Sequence, residues 1–197
     1  MTKAILPALV GSRICHDLIS PIGAIGNGIE LLELSGATRG QEIDLIRSSV
    51  ETAAARLSLF RLAFGRVAQT QIVAERELDQ ALASLSRGGR VRIHWAPGPL
   101  VTRVEVQALI LAVMCCDSAL PRGGDVAVEA EDRGWTVTAR APRIETEPRL
   151  WDYLQAPDSD TSIDPGEVHF ALLAEIAEAH GWAIRVHRCD TELRLAF

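Results

Sequence analysis

The sequence predicts an α+β fold in which a helical hairpin precedes an α/β sandwich. Apolar residues recur in steps of three and four over residues 14–32 and 43–64, which is the spacing of one face of an α-helix. From about residue 76 onward, short alternating stretches stand between apolar helices, a pattern typical of a mixed sheet with helices on one face. We therefore place one unit at residues 1–66 and a second at residues 70–197.

Composition narrows the class of protein. The chain has 197 residues, of which 48% are hydrophobic and 23% are charged, as in ordinary globular proteins. Its net charge of −6 argues against a nucleic-acid-binding protein, which would show a basic patch. The apolar stretch Ile5–Val10 is too short to cross a membrane, and the four cysteines lack CxxC spacing. We expect a cytoplasmic protein with reduced thiols and no membrane association.

The first helix is predicted to run from about Ile5 to Leu34. His16 lies two residues from both Ile14 and Leu18, so it is about 200° away from the apolar stripe around the helix and should face solvent. The stripe itself should be buried, and its members are Ile14, Leu18, Ile22, Ile25, Ile29 and Leu32.

The helix face around His16 is built from small residues. Those at the same three-and-four spacing are Ser12, Ser20, Gly23 and Asn27. Together with Gly26 and Gly28 they indicate a helix face without bulky side chains, where another protein backbone can come close. Pro21 lacks an N–H, and we expect it to bend the helix locally.

Asp17 directly follows His16. A carboxylate beside an imidazole can orient the ring or help to take up its proton. A single exposed histidine is usually only a solvated polar residue. The His-Asp pair, the proline and the small-residue face together favour a functional site.

The second helix predicts how the hairpin associates. Two glycines in residues 35–40 break the chain, so the next helix should return antiparallel and stop at Gly65. Its apolar residues are Ile43, Ile46, Val50, Ala53, Leu57, Phe60 and Phe64. Because two helices cannot hide both seams alone, we expect residues 5–65 to form a homodimeric four-helix bundle.

Three arginines lie close to His16 in this arrangement. Folding the hairpin about residues 37–38 brings Arg56 and Arg61 within a turn of His16, and Arg13 is one turn away on the first helix. Each could attract a phosphoryl group or a carboxylate, and each could equally be a solvated surface residue.

The second unit is predicted as alternating helices and strands. In order these are a helix at 78–86, a strand at 91–95, a helix at 105–119, a hairpin of 125–130 and 135–141, a helix at 167–179, and a hairpin of 182–188 and 192–197.

The residues around His16 resemble a known family. The box His16-Asp17-Leu18-Ile19-Ser20-Pro21 resembles the phosphoacceptor box of sensor histidine kinases, and the run from His16 to Leu32 resembles the ChpT-type histidine phosphotransferases of alphaproteobacteria. Residues 60–65 resemble the second helix of that family. The resemblance implies that His16 is the phosphoacceptor and that Asp17 orients it or acts as a base. The residues expected near the phosphate or a docked receiver are Arg13, Ser12, Ser20, Pro21, Gly23, Asn27, Arg56 and Arg61.

The second unit resembles the ATP-binding domain of histidine kinases, and the resemblance fails at the nucleotide motifs. Leu111 and Cys115 stand where asparagines normally hold Mg²⁺ and nucleotide. The stretch 139–143 lacks the acid and glycines that contact adenine. Glu167-Val168-His169 replaces the Gly-x-Gly whose backbone cradles phosphates. The resemblance therefore implies a degenerate domain without ATP binding.

The family implies a phosphorelay protein that moves a phosphoryl group from the receiver Asp of a hybrid kinase, through His16, to response regulators. We expect no cofactor or metal on this chain, with Mg²⁺ bound by the partner receiver domain. His187 and Cys189 share a strand face, but further zinc ligands are lacking. The alternatives are an ATP-dependent histidine kinase core and a non-catalytic dimeric adaptor that binds receiver domains. The second unit is expected to form part of the receiver-docking surface.

Overall fold

A computed structural model describes residues 6–35, 41–65, 73–86, 90–96, 101–132, 134–157 and 160–197. In chain order the elements are α1 (Leu6–Ser35), α2 (Gln41–Phe64), α3 (Glu75–Leu85), β1 (Val91–Ala96), α4 (Arg103–Ser118), β2 (Gly124–Glu131), β3 (Gly134–Arg140), α5 (Pro148–Gln155), a 3-10 turn (Pro165–Glu167), α6 (Val168–His180), β4 (Arg185–Arg188) and β5 (Glu192–Ala196). Residues 36–40 of the predicted break between the first two helices lie outside the described residues.

Helices α1 and α2 form the predicted antiparallel hairpin. They pack along their length, and the Arg56 guanidinium of α2 donates to the main-chain carbonyl of Asp17 on α1. Helix α1 continues through Pro21 as a single helix. Helix α2 ends at Phe64, so Gly65 stands at the predicted stop.

The apolar stripe of α1 is only partly buried within one chain, as expected if two helices cannot hide both apolar faces alone. Ile22 and Ile29 are 59% and 47% exposed, and the rest of the stripe is only half-buried. The reason is geometric, because one partner helix covers only part of the circumference of α1. The seam of α2 is likewise open at Val50 and Leu57.

A mixed five-stranded sheet forms the base of the C-terminal part. The strand order is β1-β2-β3-β5-β4, with β1 and β2 parallel and all other neighbours antiparallel. Both predicted hairpins are present, in register from Asp125 opposite Arg140 and from Arg188 opposite Leu193. The fold is therefore α+β, as the sequence predicts.

One hydrophobic core joins the sheet to its helices and to the end of α2. Alternate residues of β2, β3 and β5 contribute Val126, Val128, Val137, Ala139, Leu193 and Leu195. These side chains share a cluster with α4, α5 and α6. Leu59, Leu62 and Ala63 belong to the same cluster, so the last turns of α2 pack against the C-terminal part rather than extending into solvent.

Side chains of α4 hold the C-terminal end of α2 in place. A helix end leaves carbonyl groups without intrahelical partners. The buried Arg103 donates from Nη2 to the carbonyls of Arg61 and Leu62, each at 2.9 Å. Gln107 donates from Nε2 to the carbonyls of Ala63 at 2.8 Å and Gly65 at 3.2 Å. The hairpin is therefore fixed in orientation against the sheet.

Two features of the C-terminal part differ from the sequence prediction. Helix α5 was not predicted, because its eight residues give too short a pattern, although Pro148 at its first turn is a start signal. Strand β4 begins at Arg185 rather than at Trp182. Trp182 instead stacks on Phe197 with ring centroids 5.7 Å apart, so its aromatic packing replaces strand pairing.

No described helix has both the length and the apolar character needed to span a membrane.

Candidate functional site

His16 stands on the outer face of α1, and its side chain is 86% exposed. Its Nδ1 lies 3.0 Å from Oδ1 of Asp17. Because an ionised carboxylate only accepts hydrogen bonds, this contact assigns the proton of a neutral imidazole to Nδ1. The lone pair is then on Nε2, the ring nitrogen that faces away from Asp17. The exposure predicted from the helical spacing is confirmed.

Asp17 is itself held by a residue of α1 that reaches the C-terminal part. Its Oδ2 accepts from Nε of Arg13 at 2.8 Å, and its side chain is only 17% exposed. The Nη1 of Arg13 donates to the carbonyl of Gly166, in the turn before α6, at 2.7 Å. A continuous chain of hydrogen bonds therefore runs from Gly166 through Arg13 and Asp17 to the imidazole of His16.

The structure brings one of the two predicted α2 arginines to this network. Arg56 donates to the carbonyl of Asp17, so it lies beside the site as the hairpin register predicts. Arg61 instead pairs from Nε with Glu77 of α3 at 2.8 Å. The structure does not join Arg61 to the His16 network.

The side chains that surround His16 on α1 are short, so the helix backbone there lies close to the solvent. Ser12, Ser20, Gly23 and Asn27 are all exposed. A Cβ atom added at Gly23 would meet nothing within 4 Å among the described residues, so this face is open. Pro21 and Gly28 are buried, so the structure does not place them on the exposed face with the others.

Comparisons with known proteins identify the family of the chain. A family model described as the histidine phosphotransferase C-terminal domain matches residues 75–192. A protein phosphotransferase ChpT of Brucella abortus (strain 2308) is 32% identical over 188 residues, which are 92% of this chain and 90% of the relative. The chain belongs to the ChpT-type histidine phosphotransferase family.

This family assignment confirms the one predicted from residues 16–32, and it supports a phosphotransfer role within a phosphorelay. A solved structure of a bacterial phosphotransferase matches the histidine phosphotransferase fold described here with a TM-score of 0.82 and 29% identity. The match covers all of this chain and 97% of the other.

Two residues of this histidine phosphotransferase, at positions that the resemblance to histidine kinases matches to nucleotide-binding asparagines, lie in its hydrophobic core. Leu111 and Cys115 are fully buried in α4. Burial raises the pKa of the Cys115 thiol well above its usual value, so the thiol stays protonated. Neither side chain reaches the molecular surface. Glu167 is engaged by Arg149, whose Nη2 lies 2.6 Å from its carboxylate.

A cavity between the hairpin and the C-terminal part was missed by the sequence prediction. Its volume is about 360 Å³, and its lining includes Arg13, Asp17, Arg56, Arg90, Asp117 and His169. Burial raises the pKa of Asp117, and the Arg90 guanidinium paired with it opposes that shift. Burial lowers the pKa of His169 to about 3, and the nearby Arg13 cation adds to this.

His169, which the sequence analysis places in the stretch that replaces the Gly-x-Gly, is one of the residues that line this cavity. It is 3% exposed, and neither of its ring nitrogens has a hydrogen-bond partner among the described residues. The available signal was its position within the apolar run Val168–Leu173, which indicates a buried face. No local pattern indicates that this face would meet α1.

Within the described ranges, no group of three or more His, Cys, Asp or Glu side chains is arranged to hold a metal ion. The site therefore offers an exposed imidazole, His16, that can act as a nucleophile through Nε2 while Asp17 holds Nδ1.

Proposed function

We propose that this histidine phosphotransferase accepts a phosphoryl group on Nε2 of His16 from the aspartyl phosphate of one receiver domain and delivers it to the Asp of another. The observation that carries the proposal is the 86% exposed imidazole whose opposite nitrogen is held by Asp17 at 3.0 Å. A fixed tautomer keeps the lone pair on the accessible nitrogen, which is what a nucleophile at this position needs.

In the forward step the Nε2 lone pair attacks phosphorus in line with the bond to the aspartyl oxygen. The N–P bond forms, the P–O bond breaks, and the bonding pair leaves with the receiver carboxylate. The ring, with a proton on Nδ1 and phosphorus on Nε2, becomes cationic, and the adjacent Asp17 carboxylate offsets this charge. The reverse attack by a second receiver's Asp regenerates neutral His16.

Such transfers depend chiefly on alignment and charge neutralisation. The chain from Gly166 through Arg13 to Asp17 provides the alignment on this side. The Mg²⁺ that neutralises the phosphoryl oxygens would belong to the acidic pocket of the receiver. The low face of Ser20 and Gly23 would let that pocket come within bonding distance of Nε2.

We further propose that the working form is a homodimer whose hairpins pair into a four-helix bundle. Among the described residues, every exposed large apolar side chain lies on α1 or α2: Ile19, Ile22, Ile29, Leu31, Leu34, Leu45, Val50 and Leu57. Exposed apolar surface of this extent on two neighbouring helices is typical of an association face.

The decisive experiment mixes a receiver carrying labelled aspartyl phosphate with the wild type, with His16→Ala and with His94→Ala. His94 is a matched control because its side chain is also well exposed, at 66%, on β1. We expect acid-labile label on the wild type and on His94→Ala, and none on His16→Ala. A non-catalytic adaptor would instead leave all the label on the receiver with each of the three proteins.

The same proteins incubated with labelled ATP and Mg²⁺ test the kinase alternative. We expect no label on the chain alone, because Leu111 and Cys115 are sealed in the core where nucleotide ligands would be required. Stoichiometric labelling of His16 from ATP would show that the chain is a histidine kinase core.

A further inference from the structure

The 3-10 turn Pro165–Glu167, which leads into α6, packs against α1. The main-chain carbonyl of Gly166 in this turn accepts from Nη1 of Arg13 at 2.7 Å. The same guanidinium donates from Nε to Oδ2 of Asp17 at 2.8 Å. Arg13 is therefore held at two points, one on its own helix and one in the C-terminal part.

The turn is itself fixed by the carboxylate of Glu167. Its Oε2 accepts from the main-chain N–H of Asp164 at 3.0 Å, and its Oε1 accepts from Nη2 of Arg149 on α5 at 2.6 Å. Arg149 also donates from Nη1 to the carbonyl of Ser162. The N–H of Glu167 donates to the carbonyl of Asp164 at 2.8 Å, which closes the turn. The carbonyl of Gly166 is thus presented to α1 from a turn that is tied at both ends.

The contact with Gly166 contributes more to the placement of Arg13 than the pair with Asp17 does. An Arg–Asp pair four residues apart on a helix favours its own geometry only about twofold. A hydrogen bond from a charged donor, in a place from which water is largely excluded, counts for about tenfold or more. The side chains of Arg13 and Asp17 are 26% and 17% exposed, so both are mostly shielded from solvent.

The guanidinium of Arg13 is directed to the rear of Asp17 and away from the free nitrogen of His16. Arg13 lines the cavity on the inner side of α1, and His16, which is 86% exposed, is not among the lining residues. The sequence prediction placed Arg13 near the phosphate, whereas the structure directs its Nε and Nη1 to Asp17 and Gly166. These contacts favour a positioning role for Arg13.

We propose that Glu167 and Arg149 are positioning residues for the transfer through His16, so this inference rests on the proposed function. They fix the turn whose carbonyl holds Arg13. Arg13 in turn keeps the Asp17 carboxylate in the orientation that places the imidazole proton on Nδ1 and leaves Nε2 free to attack phosphorus. The C-terminal part then contributes to the reaction from behind the hairpin, a role distinct from docking a receiver.

Nitrogen-15 NMR of the full chain with labelled histidine tests the positioning without any transfer. At about pH 8, where imidazoles are ordinarily neutral, long-range proton–nitrogen spectra show which ring nitrogen carries the proton. His16→Ala identifies the signals of His16. We expect the proton on Nδ1 in the wild type and a mixture of both tautomers in Arg13→Lys and Glu167→Gln, because neither variant fixes Asp17. Wild-type spectra in both variants would overturn the proposal.

Single-turnover transfer at saturating labelled receiver measures the consequence for the reaction. Arg13→Lys keeps the cation but loses the planar fork that reaches two acceptors, and we expect the transfer rate to fall about tenfold. Glu167→Gln should slow transfer about threefold, the value of one ordinary hydrogen bond. Receiver affinity should stay the same in both variants.

Two matched controls should transfer at the wild-type rate. Arg47→Lys alters an arginine of α2 that pairs with an aspartate three residues away. Glu178→Gln removes the charge of an exposed acid of α6.

The double variant Arg13→Lys/Glu167→Gln tests whether the two residues act in series. If Glu167 acts through Arg13, the double variant transfers no more slowly than Arg13→Lys does. Single effects that multiply would show that Glu167 acts independently and would overturn the proposal. Slower transfer with an unchanged His16 tautomer would indicate that Arg13 contacts the phosphoryl group, which overturns it as well.

Circular dichroism shows whether each variant is folded. Arg149→Gln removes the same ion pair from its other side and serves if Glu167→Gln does not fold. If the wild type takes up no label from a receiver, the proposed function fails, and the tautomer of His16 in the variants still decides whether the C-terminal part positions the imidazole.

Discussion

Asp17 is the residue through which His16, the proposed phosphoacceptor, is positioned. Each part of it has a separate partner: Oδ1 meets His16, Oδ2 meets Arg13, and the main-chain carbonyl meets Arg56. Since the carboxylate is mostly buried while the imidazole is mostly exposed, the rigid part of the pair is the acid. The sequence places Asp17 beside His16, and the tertiary contacts decide how it is oriented.

Replacing Asp17 with Asn tests this positioning role. The shape is kept, but the charge that offsets a cationic phosphoimidazole is lost, and the amide cannot satisfy both His16 and Arg13 equally. We expect the transfer rate within the receiver complex to fall roughly 10–100-fold, the value of a charge-assisted hydrogen bond. Receiver affinity should change little. Rapid-quench transfer kinetics at saturating receiver separate the two quantities.

Asp44→Asn is the matched control, since Asp44 is an exposed acid of α2 that pairs with Arg47. It should transfer at the wild-type rate. Equal rates for Asp17→Asn and Asp44→Asn would contradict the role assigned to Asp17.

His169 makes the stability of the fold dependent on pH. Its pKa is about 3 in the folded chain because of burial, against an ordinary value of 6.5. The unfolded chain therefore binds a proton that the folded chain does not between these values, and its contribution to stability is complete above pH 6.5 and is lost as the pH falls toward 3. We expect the free energy of unfolding to fall by up to about 1.4 kcal/mol per pH unit in this window.

Urea unfolding in phosphate-free buffers at several pH values measures this slope. His169→Gln should lose most of it, whereas His187→Gln, a change at an exposed histidine, should retain it. A slope that is the same in all three proteins would show that His169 is not the group responsible.

At the scale of the element, the face of α1 around His16 carries small side chains that leave room for a partner. Gly23 lies seven residues from His16, about 10 Å along the helix and on nearly the same side. Gly costs a helix interior roughly 0.5–1 kcal/mol relative to Ala. A stability cost at an open position, where a Cβ would touch nothing among the described residues, indicates that the space serves an approaching partner.

Two substitutions at Gly23 separate stability from function. Gly23→Ala should raise the free energy of unfolding by about 0.5–1 kcal/mol, since a Cβ fits and helix propensity improves. Gly23→Leu should also fold well but should slow transfer from a receiver, because its side chain projects beside His16. Thermal unfolding and transfer assays measure the two effects.

Gly11→Leu provides the comparison. Gly11 is equally open and lies on the same helix, but it is about 140° away from His16 around the axis. It should gain helix propensity without loss of transfer. If Gly11→Leu and Gly23→Leu slow transfer to the same extent, bulk near His16 is not the cause.

The end of α2 depends on α4 for its hydrogen bonds. Gln107→Ala leaves the carbonyls of Ala63 and Gly65 without the Gln107 amide donor in a buried place. We expect a loss of about 1–3 kcal/mol in the free energy of unfolding, measured by urea denaturation. Gln80→Ala removes an exposed contact with Ser58 and should change stability by less than about 0.5 kcal/mol. A loss for Gln107→Ala no larger than this would refute the capping role.

At the scale of the whole molecule, the large exposed apolar side chains are confined to the hairpin among the residues described. The large apolar side chains of the C-terminal part lie in one core, whereas those of the hairpin are only partly covered. This asymmetry is the physical basis for the proposed homodimer, in which two incomplete seams would cover each other.

Ile29→Glu tests the association. Ile29 is already 47% exposed in one chain and lies thirteen residues, about 20 Å, from His16, so a charge there should spare the fold and the site. We expect the variant to sediment as a monomer while the wild type sediments as a dimer. Arg122→Glu, an exposed change far from the hairpin in sequence, should leave the dimer intact. A monomeric wild type would rule out the proposed bundle.

Much of the fold could be predicted from the sequence because the spacing of apolar residues along each element shows its type and which of its faces is buried. The helix expected at 105–119 is α4 at Arg103–Ser118, and the strand expected at 91–95 is β1 at Val91–Ala96. The exposure of His16 and the closeness of Arg56 followed from helical spacing and hairpin register alone. Helix α5 was missed because eight residues hold barely two turns of the pattern.

The sequence by itself thus determined the two long helices, the strand pairs and the exposed His16-Asp17 pair, since periodicity states which side of an element is apolar. Only the tertiary structure decided that Arg13 meets Gly166, 153 residues away, that Arg103 and Gln107 close the end of α2, and that His169 lines a cavity beside α1. The physical reason is that a local pattern shows which face an element buries but carries no record of the element that covers it.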